Sequence, residues 1–145
     1  MILIRLVKNA YAAVRDPERS FTERVFLVMT FISEVTVFIA FIGDLITGEN
    51  PLELLTLVLV LIFVPLLVLV CLHFDRLKLA IRIILLALVF AILPALFFFG
   101  GGVEGGGVIW IIFAFMYVGL VLHGRWRKIM FVFITLLTLG CFLLA

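Results

Sequence analysis

Residues 51–72, PLELLTLVLVLIFVPLLVLVCL, hold a single charged side chain, Glu53, close to their start. As an α-helix rising about 1.5 Å per residue the run is roughly 33 Å long, enough to cross a hydrocarbon core of about 30 Å. Asn50 stands where an N-cap belongs, Pro51 at the first helical position, and Glu53 in the first turn, where the helix dipole favours negative charge. Working outward, residues 25–46 form a run of similar length, joined to it by the turn Thr47-Gly48-Glu49-Asn50. Ser20-Phe21-Thr22-Glu23 precedes that run in the pattern of a capping box. Downstream lie apolar runs at 79–98, 108–122 and 129–145, with charged connections at 73–78 and 123–128. The expected fold is all-α: a polytopic transmembrane bundle of five spans over residues 20–145.

Composition points the same way. Hydrophobic residues make up 67% of the 145 and charged residues 14%, with a mean hydropathy of +1.45. Soluble domains average about 45–50% apolar and about 25% charged. A globule this small leaves too much surface exposed to hide such an excess, and a lipid bilayer is the partner that removes the problem. The net charge of +2 gives no reason to expect nucleic acid.

Residues 1–19 read as a separate cytoplasmic segment. Over 2–15, Arg5, Lys8, Asn9, Ala12 and Arg15 share one helical face and Leu3, Leu6, Val7, Ala10, Tyr11 and Val14 the other, as in a helix lying on a membrane surface. Pro17 ends it. The first 24 residues carry too many charges for a cleavable signal peptide, so the 25–46 span is expected to direct insertion.

All eleven Lys and Arg fall in the N-terminal segment, in the 73–82 region or in the 123–128 connection. Asp44, Glu49, Glu53 and Glu104 mark the alternate turns. The positive-inside rule then predicts a cytoplasmic N-terminus in the cell (inner or plasma) membrane, with Ala145 towards the outer face. Trp110 and Trp126 are expected to act as interfacial anchors.

Glu34 is the one acidic residue near the middle of a span. A charge there costs something like 3 kcal/mol on insertion scales, so it should face the bundle interior or carry a proton, with Thr30 one turn away as a hydrogen-bond partner. Two readings follow: a proton- or ligand-linked site, or a protonated side chain bonding helix to helix. Ser33, Thr36, Ala40, Gly43 and Thr47 form a small-residue stripe on the same helix, as do Ala80, Ala87, Ala91 and Ala95 on the third, both expected as packing seams. Pro65 and Pro94 should bend their helices, freeing the carbonyls of Leu61 and Phe90. The loop 99–107, FGGGVEGGG, permits positive φ and close backbone approach; it lacks the Lys-Ser/Thr ending of a phosphate loop. Cys71 and Cys141 fall at different depths and should remain unpaired. His73 and His123 stand alone, and no metal set, cofactor motif or nucleophile–base pair is present. No residue is assigned a catalytic role.

At 94–110, PALFFFGGGVEGGGVIW, the chain resembles the N-terminal membrane sensor region of certain bacterial histidine kinases and diguanylate cyclases. That pattern has a Pro near the outer end of the third helix, aromatics, a Gly-Gly pair, a further Gly and a Trp opening the fourth helix. Here those positions are Pro94, Phe97, Phe98, Gly101, Gly102, Gly106 and Trp110, and the basic turn HGRWRK before a fifth helix also fits. A Ser commonly precedes the glycine pair, where this chain has Gly100. The resemblance implies a noncatalytic signal-input domain, homodimeric through its helices, coupled to a cytoplasmic effector beyond its C-terminus after at least one more helix. The ligand-binding candidates are Glu34, Asp44, Pro94, Gly101, Gly102, Glu104, Gly106 and Trp110. The alternatives are a small ion- or proton-coupled transporter or channel using Glu34, and a membrane assembly subunit.

Overall fold

A computed structural model describes residues 8, 11–12, 14–48, 50–102 and 106–144, and among them every element is helical. We number the helices α1 (Phe21–Thr47), α2 (Pro51–His73), α3 (Leu77–Phe99), α4 (Gly107–Val121) and α5 (Gly124–Leu144). Most of the helix expected over 2–15 lies outside the described residues, as do Glu49, Glu104 and Ala145. Of that segment Lys8, Tyr11, Ala12, Val14 and Arg15 are helical, and Val14 packs against the core.

Local chemistry sets the helix ends. Ser20 Oγ accepts from the Glu23 N–H at 3.3 Å, the first half of the expected capping box. Asn50 Oδ1 accepts from the Leu52 N–H at 3.0 Å, with Pro51 opening α2. Gly48 closes α1 in a left-handed conformation, φ +74°, and its N–H returns to the Asp44 carbonyl. The 123–128 connection proves shorter than expected. Gly124 turns the chain with φ +67°, and Arg125, Trp126, Arg127 and Lys128 are already the first turns of α5. Long basic side chains can lie on such a turn because their charged ends reach water.

Among the described residues four helices, α1, α2, α3 and α5, are long and apolar enough to cross a membrane. The fourth, α4, is a shorter apolar helix of 15 residues, about 22 Å against a core of about 30 Å. The chain is thus a multi-pass helical bundle in which one of the five expected spans is short.

The helices run back and forth between two ends. At the basic end, Arg19 reaches Asp75 in the α2–α3 connection at 3.4 Å, and the Phe21 ring meets His123 of the α4–α5 connection edge-on at 6.4 Å. At the glycine-turn end, Gly100 and Gly101 face Asp44 and Glu53. The core between them is built from Phe26 on α1, Leu57 on α2, Val89, Leu93 and Phe97 on α3, Val118 on α4 and Ile134 on α5. The fifth helix is held by rings: Phe131 stacks on Phe115 at 5.7 Å, and Phe142 meets Phe97 at 5.5 Å. Cys71 and Cys141 are both buried and free.

The two prolines differ in effect. Helix α2 continues through Pro65 without interruption. Ahead of Pro94, α3 opens into a π turn over Leu88–Ile92, and the Leu93 N–H donates to the Leu88 carbonyl. The wider turn relieves the clash a proline ring makes with the carbonyl four residues back. The small-residue stripe of α1 is not one buried seam: Ser33 and Ala40 are half-buried, whereas Thr36, Gly43 and Thr47 are exposed. Its hydroxyls bond backward along the helix, Ser33 to the Met29 carbonyl at 2.7 Å and Thr36 to that of Ile32 at 2.9 Å.

Candidate functional site

The glycine turn is shaped by close contacts that only some of its glycines make. Gly101 and Gly102 adopt φ of +81° and +62°, the left-handed region that a β-carbon penalises. The Gly102 N–H donates to the Phe97 carbonyl at 2.8 Å. Gly107 lies against Phe97: a β-carbon there would stand 3.0 Å from the Phe97 Cα, so α3 and α4 touch through backbone. Gly100 is the tightest position. A β-carbon would stand 2.5 Å from the Leu96 carbonyl oxygen and 2.7 Å from Glu53 Oε1. The Leu96 carbonyl is backbone and cannot swing aside as the Glu53 carboxylate can, so any side chain here would shift the turn. Gly106, by contrast, has an ordinary φ of −69° and open space where a β-carbon would go.

Beside this turn lies a cleft of about 540 Å³. Helix α1 contributes Thr36, Ile39, Ala40 and Asp44, α2 contributes Glu53, the turn contributes Gly100, Gly101 and Gly106, and α4 contributes Trp110 and Phe113. Of the residues the sequence singles out, the fold brings Asp44, Gly101, Gly106 and Trp110 together here. Pro94 and Gly102 do not line the cleft, and Glu104 lies outside the described residues. Glu53 is the site residue that sequence reasoning missed. Its position in the first turn of α2 accounts for a charge near a helix start, yet the residue is only 6% exposed. Both Asp44 and Glu53 are engaged by neighbouring groups. Among the described residues no Lys, Arg or His lines the cleft.

Deeper in the bundle a second, smaller pocket of about 50 Å³ contains Glu34. Trp110 and Phe113 line both cavities, and Trp110 is half-buried. Trp126 is 70% exposed. The pocket walls are aliphatic side chains of α2 and α3, such as Val60, Val64, Ile84 and Leu93. Thr30 does not bond Glu34: its hydroxyl pairs with that of Tyr117 at 2.9 Å, buried between α1 and α4. Trp110, Phe113 and Tyr117 follow one another along α4, with neighbouring ring centroids 6.3 Å apart. They face the residues of α1 from Thr30 to Asp44 that line the two cavities.

The arrangement offers a ligand an acidic, aromatic mouth and an apolar interior with one carboxyl, the usual make-up of a small-molecule pocket. Among the described residues no three His, Cys, Asp or Glu side chains come together as a metal-binding group. No protein-family model, no curated protein and no solved structure matches the chain.

Proposed function

We propose that this chain is the membrane-embedded signal-input module of a bacterial signalling receptor, which binds its ligand from outside the cell in the cleft beside the glycine turn. What supports the reading is the cleft itself: residues distant in sequence, Asp44, Glu53, Gly101 and Trp110, line one cavity at a single end of the bundle. On this reading the chain crosses the inner membrane five times. The short α4 makes one crossing, since it runs from the glycine turn to the basic end. The basic residues around Arg19, Arg76 and Arg125 put that end in the cytoplasm. Ligand in the cleft touches α1, α2 and α4 together, so it favours one packing of these helices over another, as an input must. The exposed small residues Thr36, Gly43 and Thr47 on α1 offer a face for a homodimer, and the change in packing passes to a cytoplasmic effector.

The test is made in the complete receptor. Trp110→Ala and Ala40→Trp, one removing an aromatic wall and the other filling the cleft, should alter kinase or cyclase output at unchanged membrane levels. Wild-type output from both variants overturns the reading. Flux of protons or cations through the purified chain in liposomes, lost with Glu34→Gln, would make it a transporter instead.

A further inference from the structure

Helices α3 and α5 both start at the basic end and run side by side. Two ring contacts join them, Phe90 with Phe133 at 5.6 Å and Phe97 with Phe142 at 5.5 Å. The first pair is 43 positions apart in the chain, and the same offset matches Leu86 with Ile129 and Arg82 with Arg125. Each arginine precedes its phenylalanine by two four-residue steps along one ridge of its helix, about 12 Å. The two arginines therefore stand at one level of the bundle. All six residues are exposed, so an open apolar strip climbs from each arginine to the ring pair.

Neither arginine has an ion-pair or hydrogen-bond partner among the described residues, where the ion pairs are those of Arg19 with Asp16 and Asp75. No acidic residue occurs in α3, α4 or α5. The described carboxylates at the basic end, Asp16, Glu18, Glu23 and Asp75, line a separate cleft with Arg19, Arg76 and Lys78. The charge at Arg82 and Arg125 is thus left for a partner from outside the chain. Two cations at the foot of two apolar strips match a phospholipid, with phosphate below and acyl chains above. A free anion could make no use of the strips. The guanidinium fork suits phosphate oxygens, and basic sites between membrane helices select anionic headgroups.

We propose that Arg82 and Arg125 hold the phosphate of an anionic phospholipid whose acyl chains lie along Leu86 and Ile129 as far as the Phe90–Phe133 pair. The length of the arginine side chains lets both heads reach one phosphate from neighbouring helices. The site rests on the bundle alone and stands apart from the sensor reading.

Native mass spectrometry of the purified protein tests it, with phosphatidylglycerol and phosphatidylcholine of matched chains. Wild type should retain phosphatidylglycerol preferentially. Arg82→Gln and Arg125→Gln should each weaken that retention about five-fold. Arg127→Gln removes an equal charge from a different face of α5 and should keep the wild-type preference. Helical circular dichroism should be unchanged in all three variants. A large excess of inorganic phosphate should not displace the lipid from wild type. Equal retention of the two lipids by wild type, or undiminished retention in both Arg82→Gln and Arg125→Gln, overturns the site. A loss in Arg127→Gln as large as in the other two also overturns it, reducing the effect to the overall charge of the basic end. Displacement by inorganic phosphate overturns the lipid as occupant.

Discussion

The Thr30 and Tyr117 hydroxyls stand 2.9 Å apart across the seam between α1 and α4, a polar contact sealed within an otherwise aliphatic and aromatic core. The Tyr117 ring is fixed independently by the edge of Phe26 at 6.4 Å, so Tyr117→Phe should keep the packing and lose only the bond. Hydrogen bonds between helices in bilayers contribute about 0.6 kcal/mol on average. A double-mutant cycle of Thr30→Val with Tyr117→Phe, read by unfolding in bilayer mimetics, should show coupling of about that size. Strict additivity would mean that the two hydroxyls do not bond.

Glu34 is a different case, because the hydrogen bond to Thr30 expected from sequence goes to Tyr117. Both Glu34→Gln and Glu34→Leu should fold with a thermal stability at least equal to wild type. Leu removes a carboxyl from mid-membrane and breaks no bond between helices. A marked drop in melting temperature for Glu34→Leu alone would restore the carboxyl to a role in holding the helices together.

Two neighbouring glycines should respond in opposite ways. Gly100→Ala drives a methyl group against the Leu96 carbonyl and the Glu53 carboxylate, an overpacking that costs about 1–3 kcal/mol. Gly106→Ala meets nothing within 4 Å and should leave stability unchanged. Thermal unfolding of the two side by side decides, and equal behaviour would contradict the geometry of the turn.

Gly101→Ala and Gly102→Ala should each destabilise by about 1–2 kcal/mol through their positive φ, with nothing required of a ligand. Asn, which tolerates this conformation better than Ala, should recover part of the loss at either position. Asn variants no more stable than the Ala variants would argue against the left-handed turn.

The Arg19–Asp75 pair at the basic end should matter little to stability. Asp75 is 86% exposed on its side chain and the separation is 3.4 Å, a geometry that contributes about 0–1 kcal/mol and is screened by salt. A charge-swap cycle measured at low and at high ionic strength should show any coupling fade as salt rises.

Helix positions and their caps were legible because they depend on neighbours in sequence. Ser20 and Asn50 cap where their spacing places them, and the apolar runs locate α1 through α4 to within a few residues. The start of α5 was not, because Arg125 to Lys128 read as a polar connection when they are a helical turn with exposed side chains. The site was half legible. Glycines in a row announce a turn, but which of them a β-carbon would disrupt depends on how the turn folds back: Gly100 against the Leu96 carbonyl and Glu53, Gly107 against Phe97, and Gly106 against nothing. The division of Glu34 from Thr30 was hidden for the same reason: the partner that wins, Tyr117, lies 87 residues along the chain.

The π turn at Leu88–Ile92 gives α3 one place where its length is negotiable. Such a turn holds one residue more than regular helix needs, so losing a residue there closes the bulge while the flanking faces keep their directions. Ala80 and Ile84 would still point into the core, and Phe97 would still meet Gly107. A deletion anywhere else in α3 rotates all that follows by about 100°, carrying Gly100 away from Glu53. Chains that share this architecture but lack the bulge should therefore align with a single-residue gap at 88–92.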